Sequence, residues 1–122
     1  MATTDTSVTI APWFKVHSGK MNEFKLICQQ MVDNTLPEKG CHFYGFAFHE
    51  DMAFCREAYH NAEGALEHVG RVRELLEKAL TLSSLERLEL VGPESELAKL
   101  RVPLAGLNPV YYTLEYGFGV RL

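Results

Sequence analysis

The segment CHFYGFAFHEDMAFCREAYH, residues 41–60, permits few folds other than a pair of strands. Tyr44, Phe46 and Phe48 alternate with Gly45 and Ala47, and after a tight turn at Glu50–Asp51, Phe54 and Ala58 oppose Cys55, Glu57 and Tyr59. A period of two sends successive side chains to opposite faces of a sheet. Neither strand has a cleanly polar face, so this hairpin has to be covered on both sides.

Stretches with helical period flank it. Met21, Phe24, Ile27, Cys28 and Met31 recur at three and four, after a Ser18–Gly19 start and before Pro37, which sets an end near Leu36. Asn61 suits an N-cap for a second helix, with Ala62, Ala65, Leu66, Val69, Val72, Leu75, Leu76, Ala79 and Leu80 on its stripe, and Gly70 is expected to divide it. Val8, Ile10, Phe14 and Val16 share one face of an opening strand that carries Trp13 on the other. Pro12 argues there for an edge position or a bulge. Leu85–Val91 reads as a strand, Gly92–Pro93 begins a short helix burying Leu97 and Leu100, and Val110–Phe118 reads as the last strand.

The resulting order, β-α-β-β-α-β-α-β, is that of an α+β domain: a ferredoxin-like antiparallel sheet with helices on one face. Trp13, Gly45, Ala47 and the aromatic VYYTLEYGF strand then lie on the uncovered side. A homodimer stacking sheet on sheet would bury them, and a monomer whose GFGVRL tail folds back over the sheet is the alternative.

Length and charge narrow the function. The 122 residues suit one domain, 1–122, with an ordered core of about 8–118 and a frayed segment from Met1 to about Ser7. The 12 Lys plus Arg against 16 Asp plus Glu, net charge -4, include no basic run able to follow a phosphate backbone, so nucleic acid is not an expected partner. The opening MATTDTSVTI lacks a basic and an apolar leader region, and no apolar run approaches the roughly 20 residues of a membrane span. A soluble cytoplasmic protein without a membrane partner is the expectation. Cys28, Cys41 and Cys55 are expected to be reduced thiols.

The chemically capable residues cluster at the end of the second hairpin strand. Glu57 and Tyr59 project to one face, and His68, about two helical turns beyond Asn61, can return over the sheet. A carboxylate orienting an imidazole, beside a phenol able to donate to an oxyanion, is an acid/base set for deprotonating a phenolic substrate. The same residues fit a structural role. Glu57 then pairs with Arg56, Arg71 or a backbone donor, Tyr59 caps the core with its hydroxyl in water, and His68 fills the helix seam as a neutral ring. His42 and His49 sit on opposite strand faces, whereas His49, His60 and Glu50 meet only if the hairpin end curls over. No HxH, HExxH or compact Cys/His set is present, and although His68 or His60 could ligate haem, no CxxCH accompanies them. No metal and no cofactor is expected.

Glu57, Tyr59 and His68 resemble the Glu-x-Trp strand end and following helix histidine of the antibiotic-biosynthesis-monooxygenase-like family of dimeric α+β barrels. The likeness spans about Val8 to Phe118, with Tyr59 in place of the usual tryptophan. An additional short helix around Glu94–Arg101 and the LAGLNP turn also depart from the family. The resemblance implies a pocket between sheet and helices in each subunit, and oxygenation of an aromatic or quinol-like molecule without flavin or metal. His68, Glu57 and Tyr59 would be its catalytic residues. A non-catalytic small-molecule-binding or sensing dimer and a structural partner protein remain as alternatives.

Overall fold

The computed structural model describes residues 3–121. The elements run β1 (Val8–Val16), α1 (Met21–Thr35), β2 (Cys41–His49), β3 (Met52–Tyr59), α2 (Ala62–Thr81), β4 (Ser83–Gly92), α3 (Glu94–Leu97), a 3-10 turn (Ala105–Leu107) and β5 (Val110–Thr113). Asn61 caps α2 by accepting a hydrogen bond from Gly64 N, as expected. Gly70 does not divide that helix. It is exposed, and packing of Ala65, Val72 and Ala79 against the sheet outweighs the roughly 1 kcal/mol that a mid-helix glycine costs.

The strands form one sheet in the order β2-β3-β1-β4-β5. Each neighbouring pair among the first four is antiparallel, the ferredoxin-like arrangement, with the helices packed on one face. Of the two settings that Pro12 allowed, the irregularity holds and the edge does not: β1 is a central strand, the β1–β3 register skips Ala11 and Pro12, and the β1–β4 register slips between Trp13 and Phe14. That slip places Leu85 opposite Phe14 and Leu88 opposite Pro12, so residues three apart both reach the covered face. The last strand is also shorter than expected and parallel to its neighbour, pairing from Glu89↔Val110 to Gly92↔Thr113. It stops because β4 gives way to Pro93, which has no N–H to extend the ladder, and the next residues turn to Thr3, whose N–H donates to Glu115 O at 2.8 Å.

Thr3–Ser7 are accordingly tied down, not frayed. Thr3 Oγ1 donates to Gly117 O at 2.9 Å and Ser7 N to Asp5 Oδ1 at 2.9 Å. The frayed-end expectation for Met1 and Ala2 lies outside the described residues. The core divides into two clusters under the helices. One gathers Val8, Ile10, Tyr59, Ala65, Leu90 and Leu97, the other Phe14, Phe24, Met31, Ala53 and Ala79. Gly40 and Gly64 let the α1–β2 connection touch the first turn of α2: a Cβ on Gly64 would lie 2.9 Å from Gly40 O. This close approach draws residues 36–40 toward the helix that carries His68.

Candidate active site

Inward-facing positions on β3 alternate, so Cys55, Glu57 and Tyr59 lie under α2, opposite Phe46, Tyr44 and Cys41 of β2. On α2, His68 shares the sheet-facing stripe with Ala65 and Val72. Glu57 and His68 are both buried, and Glu57 Oε1 lies 3.6 Å from His68 Nε2. The other ring nitrogen, Nδ1, lies 3.2 Å from Glu38 Oε2 and 3.4 Å from Thr35 Oγ1. Glu38 is in turn 3.5 Å from Arg71 Nε. Arg71 therefore serves Glu38, and also Glu67, rather than Glu57.

The tautomer follows from these neighbours. With Glu38 held as a carboxylate by Arg71, His68 donates its Nδ1–H to Glu38 and turns the Nε2 lone pair toward Glu57. Burial lowers the His68 pKa to about 4, with the Arg71 charge acting in the same direction. Burial raises Glu57 to about 7, against the hydrogen bonds from Tyr59 and Cys55, which pull it down. It also raises Glu38, which Arg71 partly offsets. Near neutrality the imidazole is uncharged and Glu57 is the member poised between its two states.

Glu57 and His68 line a cavity of about 60 Å³ between the sheet and α2. Its polar lining is small: Tyr44, Cys55, Glu57 and His68 among Ile10, Phe14, Leu88, Leu104 and other apolar side chains. Tyr59 does not line it. Its hydroxyl, fully buried instead of reaching water, donates to Glu57 Oε1 at 2.6 Å. Tyr44 does line it, with its ring centroid 4.8 Å from that of His68 and its hydroxyl donating to the Met31 thioether at 3.6 Å beside the Cys55 thiol.

The structure thus brings Glu57, Tyr59 and His68 together, and adds residues that sequence reasoning missed. Glu38 sits in a loop behind Pro37, where no local pattern marks an inward carboxylate. Tyr44 looked like one more aromatic on an apolar strand face. His49 and His60 do not meet: His49 Nε2 lies 3.4 Å from Glu50 Oε1 on the surface, while the His60 ring packs 4.0 Å from that of His42. The three cysteines are free, and among the described residues no group of three or more His, Cys, Asp or Glu is arranged to hold a metal ion. No helix there is long and apolar enough to cross a membrane.

No protein-family model and no curated protein matches the chain. Solved structures do. SnoaB from Streptomyces nogalater, described as a cofactor-independent oxygenase, superposes with a TM-score of 0.62 at 13% identity, over 70% of this chain and 90% of SnoaB. A Caulobacter crescentus protein provisionally named an antibiotic biosynthesis monooxygenase gives 0.65 at 15%, over 70% and 88%. These two share the fold. MupZ from Pseudomonas fluorescens gives 0.90 at 36% identity, over 96% of this chain and 91% of MupZ. The chain belongs to the antibiotic-biosynthesis-monooxygenase-like fold family. Coverage separates these relatives: the likeness to MupZ extends over nearly the whole chain, whereas the more distant family members cover about 70% of it.

Proposed function

We propose that the chain is a cofactor-independent monooxygenase acting on an aromatic or quinol-like small molecule, with Glu57 and His68 as one proton-accepting unit. The observation that carries this is the buried series Glu38, His68, Glu57 opening into an otherwise apolar cavity. Glu38 orients the imidazole and Tyr59 holds the Glu57 carboxylate. Tyr44, whose hydroxyl is held by the weak sulfur partners Met31 and Cys55, takes the oxyanion-side position for which Tyr59 is already engaged.

Removal of the phenolic proton leaves an electron-rich phenolate, whose ring carbon adds dioxygen to give a hydroperoxide. Loss of water then leaves a quinone carbonyl. Phenol and O₂ become quinone and water, the substrate losing four electrons and O₂ gaining four. The protein contributes position, a proton acceptor and a dry site. The family relationship and the cofactor-independent oxygenase SnoaB support this reading.

We further propose a homodimer through the open sheet face. Trp13 and Phe54 stack there with centroids 4.6 Å apart, Phe43 is 40% exposed, and a Cβ on Gly45 would meet nothing within 4 Å, leaving room for a second copy. A second reading, a binding or sensing dimer without turnover, is favoured by one observation: the Glu57 acceptor is already engaged by Tyr59.

Oxygen consumption with a panel of quinols separates the two readings. His68→Gln should lower turnover by roughly ten- to ten-thousandfold with assembly intact. Equal rates in variant and wild type would remove His68 from the chemistry, and tight binding without oxygen uptake would favour the sensor.

A further inference from the structure

Val69, Leu76, Leu104 and Leu107 line both the cavity beside His68 and a separate groove of about 240 Å³ on the outer surface. They form a shared wall. Two of its side chains come from α2 and two from LAGLNP, the turn after α3. The rest of the groove lining is Leu80, Pro103 and Gly106 together with the exposed Arg73 and Glu77, which give its outer end a charged rim.

Only apolar contact holds this wall together. The backbone hydrogen bonds of the turn are local, Leu104 N to Leu100 O at 3.0 Å, Leu107 N to Leu104 O at 3.1 Å and Asn108 N to Ala105 O at 3.0 Å. Among the described residues no hydrogen bond or ion pair joins residues 102–108 to α2. The cavity alone has room for a few waters, at about 10–15 Å³ each. Ordinary ligand sites begin near roughly 300 Å³. Joined across the wall, cavity and groove reach that range.

We infer that the substrate carries a linear aliphatic chain, which crosses this wall between Leu104/Leu107 and Val69/Leu76 while its reacting head sits beside Glu57 and His68. The chain is aliphatic because the wall offers no hydrogen-bonding side chain, so a polar group passing it would lose its water without replacement. Leu107, half-buried and on the turn rather than the helix, sets how much chain the site accepts. This rests on the reading of the Glu57–His68 cavity as the active site, but not on oxygenation.

Binding of 1-alkanols tests it, since they have no phenol to oxidise. Ethanol, butan-1-ol and octan-1-ol are titrated into the wild-type protein, following the His68 imidazole signal and the backbone amides of residues 104–107 by NMR. Affinity should rise about fourfold for each methylene that reaches the groove, with octanol moving both sets of signals. Leu107→Trp should weaken octanol at least tenfold and leave ethanol unchanged, whereas Leu107→Ala should bind octanol at least as well as wild type. The smaller variant keeps the test available if the tryptophan disturbs folding. Octanol shifts confined to the open sheet face, no chain-length dependence, or undiminished octanol binding in a folded Leu107→Trp protein would each overturn the inference. Absence of oxygen uptake would defeat the oxygenase reading and leave these binding results standing.

Discussion

On the covered face of the sheet, Glu57 sits among Tyr59, Cys55 and His68 with its titration displaced toward neutrality. On the open face, only one residue away along β3, Arg56 lies exposed over the Phe43 ring at 4.5 Å. Trp13 is likewise covered by Arg87, 5.5 Å from the ring centroid. Both faces pair charge with aromatic surface, but one does so in the dry interior and the other in water. Burial therefore sets proton affinity inside, whereas outside the contact between charge and ring contributes at most about 1 kcal/mol while keeping an aromatic surface available.

The largest expected difference between the faces is in turnover. Glu57→Gln removes the group poised near neutrality and should cost roughly a hundred- to ten-thousandfold in oxygen uptake, whereas Arg56→Gln should change it less than tenfold. Steady-state oxygen electrode measurements on both variants check this; a comparable loss in Arg56→Gln would erase the functional distinction.

Stability against pH comes next. Glu57, raised to about 7 when folded, favours the folded state at low pH and loses that contribution as pH rises from about 4.5 through 7. His68, lowered to about 4, acts oppositely: its contribution is complete above pH 6.5 and is lost as pH falls toward 4. In the wild type the two slopes oppose each other between pH 4.5 and 6.5. Urea titrations should show stability falling with pH across that window in His68→Gln and rising in Glu57→Gln. Each change should be on the order of 2–3 kcal/mol. Parallel profiles in the two variants would contradict the opposed shifts.

On the open face, Ala47→Trp should overpack a dimer interface by roughly 1–3 kcal/mol per site and move the sedimentation boundary toward monomer, leaving the His68 NMR signal in place. An unchanged boundary would argue against assembly through this face. The smallest effect is expected for Asn61→Ala, which removes the cap from the helix carrying His68 and should cost about 1 kcal/mol in thermal or chemical unfolding.

Periodicity made the layout legible: both long helices, the hairpin, the Asn61 cap and the inward pairing of Glu57 with Tyr59 all follow from local spacing. Glu38 was not legible, because its inward position depends on Gly40 meeting Gly64 across the α1–β2 connection, a contact between residues 24 apart in sequence. The direction of β5 was hidden for a similar reason. Alternation marks a strand but not which way it runs, and the parallel return is set by the connection through α3 and the 3-10 turn. Pro12 suggested an edge or a bulge because proline lacks a donor. The sheet places it centrally by leaving positions out of the β1–β3 ladder.

That gap bears on how the chain is assembled. β1 is made first, yet its partners are β3 and β4, ending some 50 and 80 residues later. Until they arrive, VTIAPWFKV is an apolar strand with two open edges, the kind of segment that nucleates aggregation during slow, non-local folding. A proline at its centre prevents an uninterrupted ladder with another copy, so the residue that loosens the finished sheet behind the cavity also guards the unfinished chain.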